Sequence, residues 1–435
     1  MPKARKPDPN RADAAPAVAP GQFDALIAVL DAVRGGTANT RPELIARTGL
    51  SRAVVTQRVA DLVSRGLLEE GHLGASTGGR APRILRFRAQ DGHVLTADLG
   101  ATSVAVGLAD LSGQLLDRHE AAGGIAAGPD ELLGLVHELF EEMIARHADL
   151  PGRLWGIGIG VPGPVEFSSG RLAAPPVMPG WDRFPVRDVF AERYDVPVWV
   201  DNDVNVMALG EVRAGIARDH EVVVFVKLGT GLGAGIVVGG RVLRGAIGCA
   251  GDIGHIQVTD DPSVVCRCGK IGCLEALAGG SSIGLRAERL ALDGRSTALA
   301  RILEANGRIE AVDVAQAAVQ GDAASVDLID DVGVRVGAML ATVVNLVNPS
   351  LIVVGGGVSK AGDSLLASIR KTIYARSPAL ATRDLLIQRT QIEATGGLIG
   401  AASMVVDELF APRTLAAWLE HRNPAGHPDL VRSGA

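Results

Sequence analysis

The stretch that most constrains this chain runs from Gly245 to Gly280, GAIGCAGDIGHIQVTDDPSVVCRCGKIGCLEALAGG, because it gathers all four cysteines. Cys266 and Cys268 flank Arg267, Cys273 follows across the turn Gly269-Lys270-Ile271-Gly272, and His255 stands a short way upstream. One imidazole and three thiolates are the four N/S donors of a closed tetrahedral zinc site. Glycine lets the backbone fold tightly enough for several sulfurs to face one ion. The spacing therefore predicts a structural zinc on His255, Cys266, Cys268 and Cys273. The plainer alternative is a set of buried, reduced cysteines beside an unrelated loop. Cys249 is left over and reads as a small apolar core residue.

Clustered cysteines suit a reducing compartment. No apolar run approaches a membrane span, and the N-terminus is polar rather than a secretory signal. The expectation is a cytoplasmic protein with no membrane partner. With 435 residues the chain is long enough for two or three domains. Its net charge of −6 is unevenly spread: residues 1–88 carry a net +6 and the remainder −12. A basic N-terminal module on an acidic body points to a polyanion as the module's partner.

Residues 1–20 are Pro, Ala and charge without periodicity and read as a disordered tail. A helix follows with Phe23, Leu26, Ile27, Leu30 and Val33 on one face, stopped by Gly35-Gly36. A second spans about Arg41 to Arg47. After the Thr48-Gly49-Leu50 turn, Ser51 stands where an N-cap belongs. The third helix turns Val55, Val59 and Leu62 inward and Arg52, Thr56, Gln57 and Arg58 outward. Strands at 67–70 and 83–88 with a Gly-rich tip at 74–82 complete a winged helix-turn-helix over residues 21–90, with double-stranded DNA as its partner. Arg52, Thr56, Gln57 and Arg58 are expected near DNA, and Arg80 at the wing contact.

From residue 91 the pattern is α/β: strands, Gly-rich turns and helices alternate. A strand, a Gly/Thr turn and a returning strand head each half, at His93–Asp110 and again at Glu221–Val242, which suggests a duplicated, two-lobed body to about residue 410. Lobe 1 would cover about 91–205 plus the helix 397–408, and lobe 2 about 206–396. Residues 411–435 read as a short helix and a loose tail. Asp201-Asn202-Asp203 ends the strand of VWVDNDVNVMALGE, a position where α/β folds commonly build sites. The plainer alternative is an Asx-rich turn capping the next helix. Gly229-Thr230-Gly231 offers backbone N–H groups and a hydroxyl to phosphate.

Gly251-Asp252-Ile253-Gly254-His255, then Cys266-x-Cys-Gly-x-x-Gly-Cys-x-Glu275, resembles the signature of ROK proteins (repressors, open reading frames and kinases). The resemblance extends over about residues 22–410. It implies a sugar-kinase/actin-like (RNase H-like) body with ligands in the cleft between lobes. It further implies sugar contacts from Asn202, Asp203, Asp252, His255 and Glu275, with Asp203 in the place of a kinase's base. Asp98, Gly100, Thr102, Gly229, Thr230 and Gly231 match phosphate loops, and Gly355 and Gly356 match the segment that approaches adenine. Three positions depart from the kinase pattern. Ala101 replaces a loop glycine, Asp252 replaces a Glu, and no Asn precedes Pro179-Gly180-Trp181. The expected function is a DNA-binding regulator of carbohydrate genes, a repressor that senses a sugar and acts as a dimer or tetramer. The alternative is an ATP- and Mg-dependent sugar kinase with a DNA-binding appendage.

Overall fold

Thr40 and Ser51 decide where the N-terminal helices begin. The computed structural model describes residues 20–73, 82–173 and 178–433; Arg80 and residues 174–177 lie outside them. Helix α1 spans Pro20–Arg34, α2 Arg41–Thr48 and α3 Arg52–Ser64. Thr40 Oγ1 accepts the Glu43 N–H while the Glu43 carboxylate accepts the Thr40 N–H, a reciprocal box at the start of α2. Gly49, at φ 68°, ends that helix, and Ser51 Oγ accepts the Val54 N–H at 3.3 Å to start the next. Strands β1 (Leu68–Leu73) and β2 (Arg83–Phe87) pair antiparallel, with Leu68 opposite Phe87 and Glu70 opposite Leu85.

Arg58 departs from the outward face expected of it. It is nearly buried, and its guanidinium lies 3.0 Å from the Asp61 carboxylate one turn on. Arg58 follows Val55 by three positions and precedes Leu62 by four, so it falls on the same face of the helix as those buried residues. Arg52, Thr56 and Gln57 are exposed.

The body begins with β3 (Gly92–Leu99), β4 (Ser103–Asp110) and β5 (Leu115–Ala122). Next come α4 (Pro129–Arg146), β6 (Arg153–Val161), a short ribbon of β7 (Val165–Glu166) and β8 (Arg171–Leu172), α5 (Val186–Tyr194), β9 (Val198–Asn202) and α6 (Asp203–Ala214). The second half opens with β10 (Val222–Leu228), β11 (Leu232–Val238) and β12 (Arg241–Val242), followed by helices α7 (Leu274–Ala278), α8 (Gly280–Leu292), α9 (Thr297–Asn306), α10 (Ala311–Val319) and α11 (Ala323–Val347). It closes with β13 (Leu351–Gly355), α12 (Asp363–Arg376), α13 (Ala379–Thr382), β14 (Leu386–Arg389) and α14 (Gly396–Leu409); α15 (Pro412–Trp418) and α16 (Pro428–Ser433) end the chain.

The sheets repeat one plan. Their orders are β5-β4-β3-β6-β9 and β12-β11-β10-β13-β14. In each, three strands pair antiparallel and two more add in parallel on the far side of the first. Helices α6 and α14 pack against each other between them, α6 on β10 and β11, α14 on β3 and β6. Glycines make this possible. A methyl at Gly158 of β6 would stand 2.5 Å from the Ala401 carbonyl, and one at Gly235 of β11 2.6 Å from the Val204 carbonyl. The glycines of Gly229–Gly235 thus divide in use. The turn is confined to Gly229–Gly231, and Gly233 and Gly235 belong to a strand pressed onto α6.

Residues after Pro412 do not form the expected loose tail. Leu415, Trp418, Leu419 and Leu430 are buried. Trp418 Nε1 donates to the Leu409 carbonyl at 2.8 Å, and Arg65 Nη1 to the Leu419 carbonyl at 3.2 Å. One core joins α1, α3, β1 and β2 to Trp155, Met404, Val405, Leu409 and Trp418. The N-terminal module is therefore seated on the body through its C-terminal helices. No described helix is long and apolar enough to cross a membrane.

Candidate functional site

A cavity of about 830 Å³ opens between the two sheets. Asn202, Asp203, Asp252, His255 and Glu275 all line it, although they come from separate segments. Asn202 caps α6: its Oδ1 accepts the Val204 N–H at 3.0 Å and its Nδ2 donates to the Gly163 carbonyl at 2.8 Å. Asn202 thus both caps the helix and lines the cavity. Beneath it, buried Asp201 accepts from the Asn202 N–H, the Asn205 amide and Arg244 Nε at 2.7–2.8 Å. Arg244 itself lies over the Phe167 ring at 3.7 Å. This ion pair stiffens the turn that carries Asn202 and Asp203.

Asp203 is nearly buried. Its Oδ1 accepts the Val204 N–H at 2.8 Å and its Oδ2 takes a hydrogen bond from Lys227 Nζ at 2.5 Å. Lys227 also lines the cavity and was not singled out from the sequence. The available signal was one charged residue in the otherwise apolar strand VVVFVKL. Burial pulls the Lys227 ammonium down, but Asp203 and Asp98 outweigh it and hold the group above its ordinary range. Asp98 is pushed up to about 7, chiefly by burial, with Lys227 pulling the other way.

Glu275 Oε2 accepts the Leu232 N–H at 3.0 Å, and Arg267 approaches its Oε1 at 3.6 Å. Arg267, between two of the clustered cysteines, is a second cavity residue missed in the sequence. Burial raises the Asp252 carboxyl above its usual value, His255 opposes that and Glu275 adds to it.

The phosphate-loop matches separate. Thr102, Gly229, Thr230, Gly231 and Gly356 line the cavity; Asp98, Gly100 and Gly355 do not. Gly100 is held in its own hairpin by the Ser103 carbonyl at 2.8 Å. Gly355 is packed under Phe225, where a methyl would meet the ring at 2.6 Å. Asp98 points at Gly397, the second residue of α14. Ala101 does not take a positive φ, so its methyl stands in the cavity wall without backbone strain. Cys249, expected in the core, is exposed and borders the cavity: the close packing of this loop is made by Gly248 against the Val165 carbonyl and Gly251 against the Ala234 carbonyl, not by the cysteine between them.

His255, Cys266, Cys268 and Cys273 converge, with one donor atom from each within 4.8 Å of every other. Tetrahedral zinc with Zn–S of about 2.3 Å separates its sulfurs by about 3.8 Å. Cys268 Sγ and Cys273 Sγ are 3.7 Å apart, as are Cys266 Sγ and His255 Nδ1. The donor set and its spacing fit a tetrahedral metal ion. Burial, with Cys268 and Cys266 close by, pushes the Cys273 thiol up to about 12. A cation is what would draw these thiols into thiolates together. The site would tie the loop carrying Arg267 to the turn carrying His255.

Two sheets of one repeated plan, facing each other across a cleft with a Gly-Thr-Gly hairpin and a polar helix start, define the sugar-kinase-like class of fold. The chain belongs to the ROK family, whose model matches residues 94–408. A xylose repressor of Caldicellulosiruptor bescii is 29% identical over 374 residues, covering 86% of this chain and 92% of that protein. A glucokinase of Halalkalibacterium halodurans is 35% identical over 278 residues, covering 64% of this chain and 84% of that protein. The crystal structure of a ROK family transcriptional regulator, a homolog of the E. coli MLC protein, matches with a TM-score of 0.78 at 27% identity and covers 92% of this chain and 99% of that one. A ROK family glucokinase from Streptomyces griseus, in complex with glucose and AMPPNP, gives 0.61 at 31% identity, covering 72% and 99%.

Proposed function

We propose that this protein is a sugar-sensing transcriptional repressor. Its N-terminal module binds DNA, its cavity takes a sugar, and zinc on His255, Cys266, Cys268 and Cys273 braces the cavity wall. The observation that carries the reading is coverage: the regulator match extends over 92% of this chain, whereas the glucokinase match covers 72%. The remaining part of the chain includes a basic three-helix module with a hairpin. One such module reads one half-site, so operator recognition calls for at least two copies.

The packing supplies a route from cavity to module. Asn202 and Asp203 stand at the first turn of α6, and α6 lies backbone-close on α14. The far end of α14 shares a core with α1, where Arg34 approaches the Val406 carbonyl at 3.4 Å. A sugar that shifts α6 moves α14 and with it the seat of the module, and differential affinity for the two arrangements is what couples sugar to DNA.

The kinase reading is favoured by one feature, the Gly229-Thr230-Gly231 hairpin facing Asp203 across the cavity. One experiment addresses both readings. DNA selected from a genomic pool by the purified protein is titrated with and without D-xylose, D-glucose and related sugars, and the same sugars are incubated with Mg-ATP. A sugar-dependent change in DNA affinity without phosphorylation is the expected result. No effect of any sugar on DNA affinity or melting temperature would sink the sensor reading.

A further inference from the structure

Lys227 and Asp203 form a donor and an acceptor side by side at the floor of the cavity. Lys227 comes from the end of β10 in the second sheet, and Asp203 from the start of α6, which continues β9 of the first. The bond between them is 2.5 Å, and the Lys227 side chain keeps a quarter of its surface open. An ammonium has three N–H donors and no acceptor. One donor is spent on Asp203, and Asp98 lies near enough to act on the same charge. Asp203, with both oxygens already engaged by Val204 and Lys227, has lone pairs left to accept.

A sugar hydroxyl is a donor and an acceptor on one atom. We propose that Lys227 and Asp203 jointly read one hydroxyl of the bound sugar: Asp203 accepts its O–H, and Lys227 donates an N–H to its oxygen. Lys227 then sets selectivity at that position. A deoxy sugar leaves a buried ammonium and carboxylate facing an apolar C–H, and sites built to pair a hydroxyl reject such analogues strongly. Because Asp203 continues a strand of the first sheet and Lys227 ends a strand of the second, the same hydroxyl contacts residues of both halves.

The assignment rests on the sugar-sensing reading, and its test separates the two. D-Glucose and D-xylose, each with its series of monodeoxy derivatives, are titrated into the full-length protein and into Lys227→Met by calorimetry. In the unaltered protein one deoxy position costs about ten- to a hundredfold in affinity. In Lys227→Met the loss at that position shrinks to within about threefold, and the losses at the other positions persist. A merely structural lysine would lower all affinities alike. Lys227→Met leaves Asp203 without its counter-ion, so Asp203→Asn combined with Lys227→Met is measured beside it, with melting curves for both. The double variant is expected to lose discrimination at the same position. An unchanged deoxy profile in these variants overturns the assignment alone. Failure of the unaltered protein to bind any of the sugars overturns the sensor reading and the assignment with it.

Discussion

Gly400 of α14 lies so close to Val206 of α6 that a methyl on it would stand 1.6 Å from the Val206 carbonyl oxygen. Gly210 meets Gly396 in the same way, its methyl 2.1 Å from that carbonyl. The two helices touch by backbone, with no flexible side chain between them to absorb a displacement. Gly400→Ala must push them apart, and backbone cannot yield as a rotamer does. The expected cost is about 3 kcal/mol, measured by urea denaturation. If the variant folds, the sugar-dependent change in DNA affinity should fall with it. Wild-type stability would show that the helices slide freely.

Arg52 and Arg58 are expected to behave oppositely. Arg52 is exposed at the start of α3, whereas Arg58 is buried and paired with Asp61. Arg52→Ala should weaken DNA binding and lower the slope of log affinity against log salt by about 1, as one lost phosphate contact does. Arg58→Ala should leave that slope unchanged and cost about 1–2 kcal/mol of stability, because Asp61 loses its ionic partner and keeps only the Gln57 amide. The reverse pattern in salt titrations would mean that α3 presents a different face to DNA.

Metal removal should be felt in the cavity. Elemental analysis is expected to find one zinc per chain on the His255, Cys266, Cys268 and Cys273 donors. Cys268→Ser, or prolonged chelation, should lower the melting temperature and weaken sugar binding, since Arg267 and His255 border the cavity from the tied loop. DNA affinity without sugar should change little, because none of the four donors belongs to the core that holds α1–α3. A fully metal-free protein with unaltered sugar affinity would refute the bracing role.

Asp98 should give stability a pH slope. Its folded-state value is about 7 against an ordinary 3.8, with burial as the main cause. Between those values the folded chain holds a proton that the unfolded chain has released. The contribution is therefore complete below about pH 4 and is lost as pH rises through 7. Asp98→Asn removes the titrating group, so denaturation midpoints measured across that window should fall less steeply than in the unaltered protein. Parallel curves would place the titration elsewhere.

Much of this molecule is local and was legible in residue order. The cap at Ser51, the spacing of His255 and the three cysteines, and the Gly-Thr-Gly turn are decided within a few residues, because a short side chain reaches only its own backbone neighbourhood. The features that residue order left undecided depend on segments meeting across long separations. Arg58 turns inward because its stripe is covered by α1, and the tail is ordered because Trp418 finds Trp155 and Phe410. Gly233 and Gly235 look like turn residues until α6 lies on them.

The site divides along the same line. Residue types and motif order were enough to nominate Asn202, Asp203, Asp252, His255 and Glu275, since those chemistries sit in recognisable local frames. Only the tertiary structure decided that Asp203 is paired to Lys227 from the other half of the chain, that Asp98 faces α14 rather than the cavity, and that Arg267 turns toward Glu275. Charge pairing falls off with distance through space, not along the chain, so a carboxylate's partner is settled only when the two sheets close on each other.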